Sequence, residues 1–246
     1  PIGCVVPVNA TTVVAALLKG VAVVNTETGA VEKLLCQPEY NICTNRMNDG
    51  KCDPQGRLWV GSMDLNCQSD RGTLYRISGG VADGDEVRCD AMLTPTTISN
   101  GICWSADGAT MFYIDTALGG VDAFDFDGAS GTIANRRTVV RCAEGGGHPD
   151  GMTIDRDDKL WVAMWGGSRV NRYCPESGTL LSSYPLPCAQ VTSCAFGGEN
   201  YDQLFITTAK CGLSAEERAA QPLAGCLFRI DFASAGIAGV AANAYR

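Results

Sequence analysis

The sequence predicts an all-β protein built from repeated antiparallel sheets, the architecture of a β-propeller, and three observations support this prediction. Four segments share a plan of a polar turn, a short apolar strand, a Gly/Asp turn and an aromatic-bearing strand. They are NDGKCDPQGRLWVGS, SNGICWSADGATMFYID, PDGMTIDRDDKLWVAM and TSCAFGGENYDQLFITT. Their aromatic residues recur about every 50 residues, the size of one propeller blade. These residues are Trp59, Phe112, Trp161 and Phe205.

The third observation is the period of the hydrophobic pattern. Alternation with a period of two is common, as in LYRI, VDAFDFD and LFRIDF, whereas a helical pattern occurs only in the short segment Leu213–Gln221. The segments VDAFDFDGASGTI and VNRYCPESGTLL each predict a strand, a turn and a second strand, because glycine supplies the positive φ that such a turn needs. We expect them to form outer hairpins of blades.

The composition predicts one globular domain that covers residues 1–246. The chain is 46% apolar and 19% charged, which is sufficient for a single sizeable core. Its formal net charge of -8 argues against a nucleic acid partner, since a polyanion would be repelled. No run approaches the ~20 apolar residues that a membrane span needs. Small neutral substrates, or substrates bound with the help of a cation, fit this charge better.

The thirteen cysteines are scattered singly, with no CxxC motif and no paired metal-ligand spacing. A cysteine-based zinc site is therefore not expected. Several cysteines stand in apolar alternation, such as Cys103 and Cys194, where they predict small buried thiols. Free thiols in this number favour a reducing compartment, the cytoplasm or the interior of an organelle.

The polar turns that begin the four repeats predict a shared site. In a propeller the inner strands of all blades converge on a central channel, so that their turns meet around one axis. The turns are Asn48-Asp49, Ser99-Asn100, Pro149-Asp150 and Thr192-Ser193. Carboxylate and amide oxygens without His or Cys suit Ca²⁺ or Mg²⁺ and also tolerate Mn²⁺ or Zn²⁺. The alternative is that Asn and Asp next to Gly only form Asx turns.

Other polar and aromatic residues near these turns have less specific interpretations. Arg46 stands two residues before Asn48 in an extended stretch and could orient a polar substrate; the alternative is a solvated or salt-bridged arginine. His148 lies in a glycine-rich loop and is assigned no role. Trp104 and Trp161 are expected in the core, and Trp165 near a strand end could line a pocket.

Taken together, long ordered segments of the chain resemble the regucalcin (senescence marker protein), gluconolactonase and luciferin-regenerating enzyme family, and regucalcin most of all. The resemblance runs from about Asn45 onward. It is carried by RMNDGKCDPQGRLWVGSMD, ISNGICWSADGATMFYIDT, VDAFDFDGASGTIANRRTV, PDGMTIDRDDKLWVAMWGGSRVNRY, LPCAQVTSCAFGGENYDQLFITTA and GLSAEERAAQPLAGCLFRID. It implies a six-bladed propeller that holds one divalent cation, commonly Ca²⁺ or Zn²⁺, and hydrolyses sugar lactones.

The resemblance also implies roles for four residues. The Asn of the SNG turn and the Asp of the PDG turn, here Asn100 and Asp150, correspond to metal ligands of the family. Arg46 and Asn48 correspond to its substrate-contacting Arg and Asn. In this scheme the cation polarises the lactone carbonyl, and Asp150 accepts a proton from the attacking water.

Two departures from the family pattern stand out. The family's first metal ligand, a Glu in a GExPxW-like motif of the first blade, has no counterpart in this sequence, so we expect a propeller that lacks its N-terminal blade portion and has about five blades. Gln68 stands where some relatives carry a substrate-contacting Glu.

These departures leave two functions open. The first is a divalent-metal-dependent hydrolase of a small-molecule lactone, which predicts metal-dependent turnover and an acidic product. The second is a non-catalytic propeller that serves as an accessory or interaction subunit, with a protein partner covering the open propeller edge. That function predicts stable co-purification with the partner and no turnover.

Overall fold

Five antiparallel sheets, arranged as blades, make up the computed structural model, which describes residues 1–82 and 84–246. Blade 1 contains β1 (Val5–Pro7), β2 (Thr12–Ala16), β3 (Val21–Asn25) and β4 (Val31–Cys36). Blade 2 contains β5 (Asn45–Cys52), β6 (Leu58–Asp64), β7 (Gly72–Ser78) and β8 (Arg88–Thr96). Blade 3 contains β9 (Ser99–Trp104), β10 (Thr110–Asp115), β11 (Gly120–Asp127) and β12 (Thr132–Arg141).

The last two sheets complete the fold. Blade 4 contains β13 (His148–Ile154), β14 (Leu160–Trp165), β15 (Arg169–Tyr173) and β16 (Leu180–Pro185). Blade 5 has three strands, β17 (Val191–Gly197), β18 (Gln203–Thr208) and β19 (Leu227–Asp231). The predicted all-β propeller of about five blades is confirmed.

The strands of each sheet pair in chain order, and the first strand of each sheet is the innermost. These inner strands lie side by side in the order β1, β5, β9, β13 and β17 around the central channel. The polar segments predicted as turns in blades 2, 3 and 4 lie inside the inner strands: Asn48-Asp49 in β5, Ser99-Asn100 in β9 and Pro149-Asp150 in β13. The prediction that they are turns is therefore wrong, because each segment continues its strand through a bulge. All three lie toward the end of the channel where the inner strands begin. We call this end the mouth and the other end the far end.

Local elements agree with the sequence pattern. The two predicted hairpins are β11–β12 and β15–β16, and their turns contain Gly131 and Gly178 at φ +67° and +70°. The predicted helical segment forms α1 (Ala215–Ala220), which begins with a capping box: the Ser214 hydroxyl accepts from the Glu217 N–H at 3.1 Å. Within the described residues, none of the helical segments has the length and apolarity needed to cross a bilayer.

Hydrophobic clusters fill the interfaces between neighbouring blades. Trp59, Trp104 and Phe126 pack edge to face between blades 2 and 3, with ring centroids 5.8 to 6.2 Å apart. Trp161 lies between blades 4 and 5 and packs against Phe232 at 5.0 Å. The predicted core positions of Trp104 and Trp161 are therefore confirmed. All thirteen cysteines are free thiols, and the predicted burial of Cys103 and Cys194 is also confirmed.

A carboxylate–indole clamp explains why the DPQGRLW and DRDDKLW segments resemble each other. In blade 4 the buried Asp155 accepts hydrogen bonds from the Trp161 indole N–H at 2.9 Å and from Arg172 Nε at 2.7 Å. In blade 2 Asp53 accepts from the Trp59 indole at 3.0 Å and from Arg57 at 2.6 Å. Charge-assisted donors satisfy each buried carboxylate, so each clamp fixes the turn between the inner strand and the next one.

The segment formed by residues 236–246, called the crossing segment, runs over the far end of the channel. It starts beside blade 4, where Arg156 N donates to Ala238 O at 2.9 Å. It ends beside blades 1 and 2, where Tyr245 N donates to Pro7 O at 2.8 Å and the Tyr245 hydroxyl to Gly79 O at 2.7 Å. Tyr245 is 2% exposed and belongs to the core cluster of blades 1 and 2, so this end of the segment is part of the core.

Replacing Asp155 with Ala tests the clamp. The change leaves the buried Trp161 N–H without its partner and takes a charged partner from Arg172. We expect the free energy of unfolding to fall by roughly 3 kcal/mol, as for other broken buried pairs. Urea denaturation followed by circular dichroism measures it. Asp157→Ala, at a carboxylate side chain that is 74% exposed, is the matched control and should change stability little. Equal effects of the two changes would contradict the assignment.

Candidate functional site

The inner strands are irregular at the positions that carry the predicted site residues. The register of β5 with β6 breaks between Met47 and Gly50, and that of β13 with β14 breaks between Pro149 and Met152. A similar break occurs in blade 3, where β9 pairs with β10. A β-bulge turns side chains away from the regular alternation. These breaks therefore direct Asn48, Asn100 and Asp150 toward the mouth.

Glycines that follow the site residues let the inner strands approach closely. A Cβ at Gly101 would lie 2.6 Å from Met152 N and 2.8 Å from Asp150 O, both on the neighbouring blade. A Cβ at Gly151 would lie 2.7 Å from Ser193 Cα of blade 5. Only glycine fits at such distances, so the SNG and PDG segments of β9 and β13 each combine a site residue with a packing residue.

A chain of hydrogen bonds joins the inner strands of three blades. Arg46 Nη1 donates to Asn48 Oδ1 at 2.6 Å, and Asn48 Nδ2 donates to Asn100 Oδ1 at 3.0 Å and to Ser99 O at 2.7 Å. Asn48 and Asn100 are 8% and 7% exposed. The Asn48 amide thus reaches across the blade interface to Asn100, and neither residue forms the Asx turn of the alternative interpretation. The half-buried Arg46 contacts Asn48, in contrast to the alternative of a solvated arginine.

Thr116, the first residue after β10, continues this chain to blade 4. Its hydroxyl accepts from Asn100 Nδ2 at 2.7 Å and donates to Pro149 O at 2.7 Å. Pro149 directly precedes Asp150 in β13, so Thr116 fixes the position of this part of the strand relative to Asn100. Sequence reasoning missed Thr116, because its role depends on a neighbouring blade and the segment YIDT carries no motif of its own.

The two aspartates at the mouth have perturbed acidities. Burial raises the pKa of Asp150 well above its usual value, and the charge of Asp49 raises it further, whereas Arg46 and the Gly151 N–H lower it. Burial also raises the pKa of Asp49, against the opposing effects of Lys51 and of the Gly50 N–H at 2.7 Å. Each carboxylate is therefore less stable in its charged form than it would be in water.

This arrangement fits a hard divalent cation. Asn100 and Asp150 offer an amide and a carboxylate oxygen, and Asp49 adds a second negative charge close to Asp150. A bound cation would stabilise two carboxylates that otherwise repel each other. Across the described residues, His, Cys, Asp and Glu form no group of three or more that could hold a metal ion. The cation would thus depend on amide and water oxygens as well as carboxylate.

The remaining candidates form no hydrogen bonds with this cluster. Gln68 is exposed in the loop between β6 and β7, where its N–H is 3.5 Å from Asp64 Oδ1. His148 is exposed at the start of β13 and pairs with the partly exposed Trp165. Neither residue takes part in the chain of hydrogen bonds from Arg46 to Pro149.

A propeller with polar residues at the channel mouth is the architecture implied by the family resemblance of the sequence. Comparison with known proteins identifies the family. Residues 1–210 match the family model described as the SMP-30/Gluconolactonase/LRE-like region. The chain belongs to this family, which confirms the predicted resemblance.

Named relatives include the regucalcins of Danio rerio and Homo sapiens. The chain is 41% identical to the former over 202 residues, which are 81% of this chain and 66% of that protein. It is 38% identical to the latter over 206 residues, 82% of this chain and 66% of that protein. The chain thus spans slightly less than two thirds of the length of these curated relatives.

Solved structures extend the comparison over the whole chain. A luciferin-regenerating enzyme superposes with a TM-score of 0.87 at 30% identity, covering 100% of this chain and 81% of the other. A calcium-binding regucalcin from Agrobacterium tumefaciens gives 0.88 at 26% identity, covering 98% and 78%. A gluconolactonase from Xanthomonas campestris gives 0.65 at 20% identity, covering 91% and 70%, and supports the fold alone.

The raised pKa of Asp150 predicts a pH dependence of stability in the presence of EDTA. The folded state holds the Asp150 proton more tightly than the unfolded chain, whose aspartates titrate at about pH 3.9. The contribution of this group to folding is thus lost as pH rises from about 4 through the folded-state pKa. We expect Asp150→Asn to be more stable than the parent chain at pH 7 and to show a smaller decline above pH 4.

Urea denaturation between pH 4 and pH 8 measures this difference. Asp127→Asn is the control, because hydrogen bonds from Ser130 and from the Ala129 N–H lower the pKa of that exposed carboxyl. The control should not raise the stability at pH 7. Parallel pH profiles for Asp150→Asn and the parent chain would contradict the prediction.

Proposed function

We propose that the chain acts as a divalent-metal-dependent hydrolase of sugar lactones of the gluconolactone type. The observation that carries this proposal is the joining of Arg46, Asn48 and Asn100 in one hydrogen-bonded chain beside Asp150 at the channel mouth. Membership of a family whose description includes gluconolactonase supports it. So does similarity to a regucalcin described as a calcium-binding protein.

In this proposal, Asn100 and Asp150 hold the cation, and the other mouth residues orient the substrate. When bound, the cation supplies a Lewis acid that polarises the lactone carbonyl. The Arg46 guanidinium has five N–H donors, and one of its nitrogens contacts Asn48 Oδ1 and Met47 O. Its remaining donors can bind the hydroxyl and carbonyl oxygens of a sugar lactone. Asn48 is hydrogen-bonded to both Arg46 and Asn100 and so fixes their positions relative to each other.

Asp150 is proposed to accept the proton of the attacking water. This role requires an ionised carboxylate, whereas burial and the charge of Asp49 raise its pKa. The positive charge of Arg46 opposes that effect, and a divalent cation beside the carboxylate would act in the same direction. The same residue can thus be a ligand and a base only while positive charge is present at the mouth.

Asp150→Ala and Asn100→Ala test the proposal. We expect Asp150→Ala to lose cation binding together with at least roughly hundredfold of the hydrolytic rate, because it removes both a ligand and the base. Asn100→Ala should weaken cation binding and leave residual activity at high cation concentration. Hydrolysis of gluconolactone, followed by acid release, and calorimetric titration with Ca²⁺ measure the two effects. Asp157→Ala is the surface control.

Turnover in Asp150→Ala at the rate of the parent chain would contradict the role of that residue. An absence of cation-dependent gluconolactone turnover in the parent chain would contradict the proposed activity itself.

A second candidate, an interaction subunit, is favoured by the surface of blade 1. Val6, Val14 and Leu35 on one face of this sheet pack against blade 2. On the opposite face, Val5 and Leu34 are 57% and 50% exposed. A protein partner could cover this face. The mass of the native particle, measured by light scattering together with turnover, separates the candidates: a stable mixed complex without turnover supports the subunit.

A further inference from the structure

The interface between blades 1 and 2 brings together two cysteines of their outer strands. Cys36 ends β4 and pairs with Val21 of β3, and Cys89 lies near the start of β8 and pairs with Ile77 of β7. Residues opposite each other in an antiparallel pair lie on the same face of the sheet. Val21 and Ile77 are fully buried in the core cluster that the two blades share, and both cysteines pack against this cluster. The two thiols therefore face one interface from opposite sides.

Other contacts hold these parts of the two blades close to each other. Lys33 of β4 donates to Gly80 O, in the loop after β7, at 2.6 Å. A Cβ at Gly80 would lie 3.0 Å from Leu35 Cδ2, on the residue before Cys36. At the same interface the Cys36 thiol donates a hydrogen bond to Cys89 Sγ. The two sulfur atoms are thus direct neighbours.

This hydrogen bond makes the two thiols unequal. Donation from Cys36 lowers the pKa of Cys89, against the opposing effects of burial and of the charge of Asp90. The same bond, burial and the charge of Cys89 raise the pKa of Cys36. By contrast, burial raises the pKa of the fully buried Cys52, in the same core cluster, to about 12. Because the thiolate is the reactive form of cysteine, Cys89 is the better nucleophile of the pair.

Both cysteines of the pair are also partly exposed, so that a small oxidant can reach them. Cysteines that respond to oxidants combine thiolate character, solvent access and a second cysteine that can resolve the first oxidation product. Cys89 and Cys36 provide all three. In the reducing compartment that the sequence predicts, a disulfide is typically transient and redox-sensing.

We propose that Cys89 and Cys36 form a redox-active dithiol, which hydrogen peroxide converts into a reversible disulfide between blades 1 and 2. The Cys89 thiolate attacks one peroxide oxygen, and the O–O bond breaks. The departing hydroxide takes up the proton that Cys89 released and becomes water, which leaves a sulfenic acid on Cys89. The Cys36 sulfur then attacks the Cys89 sulfur, the S–O bond breaks, and a second water leaves with the Cys36 proton.

In total, two thiols lose two electrons and two protons, and one peroxide becomes two waters. A small dithiol such as dithiothreitol reverses the reaction by thiol–disulfide exchange. The site lies on the outer strands β4 and β8 and does not depend on the proposed lactone hydrolysis.

Peroxide treatment of the full chain tests the proposal. Remaining thiols are blocked, the chain is proteolysed, and tandem mass spectrometry locates the disulfides. We expect a Cys36–Cys89 link, with the loss of two hydrogen atoms, as the predominant linkage of the folded chain, and we expect dithiothreitol to remove it. In concentrated urea the preference for this link should disappear, because the contact between the two sulfurs depends on the packing of the blades.

Single substitutions test the order of the two steps. Cys36→Ser keeps a donor beside Cys89 but cannot close the link, so a sulfenic acid should accumulate at Cys89, where dimedone traps it. Cys89→Ser should form neither the link nor this adduct. Cys43→Ser is the matched control, because Cys43 is an exposed cysteine of the same part of the chain and its loss should leave the link unchanged.

Three results would overturn the proposal. One is the absence of a Cys36–Cys89 link in the peroxide-treated parent chain. Another is a link that forms as readily in urea as in the folded chain. The third is a Cys36→Ser chain in which dimedone labels Cys89 no more than the exposed Cys43. The comparison of folded and urea-treated parent chain uses no variant, so the test stays decisive if a substitution prevents folding.

Discussion

The close approach of the inner strands around the channel is the constraint on which the rest of the structure depends. It rests on Gly101 and Gly151, where any side chain would collide with the neighbouring blade. Because the strands are this close, the short amide of Asn48 can reach Asn100 across a blade interface. The charge of Asp49 also lies near Asp150, where it adds to the rise in the pKa of Asp150 that burial causes. Packing and electrostatics at the mouth thus have one origin.

Much of the fold could be predicted from the sequence, because its determinants are local and repeated. The alternation of apolar residues, the glycine turns and the aromatic residue of each repeat are visible within a window of about 50 residues. The proximity of the polar segments in blades 2 to 4 also followed, since a propeller places equivalent positions of its blades around one axis, although the segments are bulged strands and not turns. At the mouth, the sequence repeat alone therefore indicated which residues, although far apart in the chain, lie close together.

Other features could not be predicted, because they depend on pairs of residues that no repeat relates. The hydroxyl of Thr116 acquires its role only when Asn100 and the Pro149 carbonyl flank it. Lys51 follows the NDG segment and had no distinctive signal, yet it spans the channel to Met152. The course of the crossing segment could not be predicted either, since a coil of small residues such as GIAGVAANA has no periodicity that indicates where it packs.

The crossing segment also has a consequence for how the chain folds during its synthesis. Asn243 contacts Cys52, and Tyr245 pairs with Pro7, although these partners are separated by most of the chain. Contacts of such long range form slowly, because a large loop must close before they can stabilise anything. Blades 1 and 2 share one core cluster and can pack as the chain is synthesised, but this cluster also includes Tyr245. It is therefore completed only after residue 245 has been made.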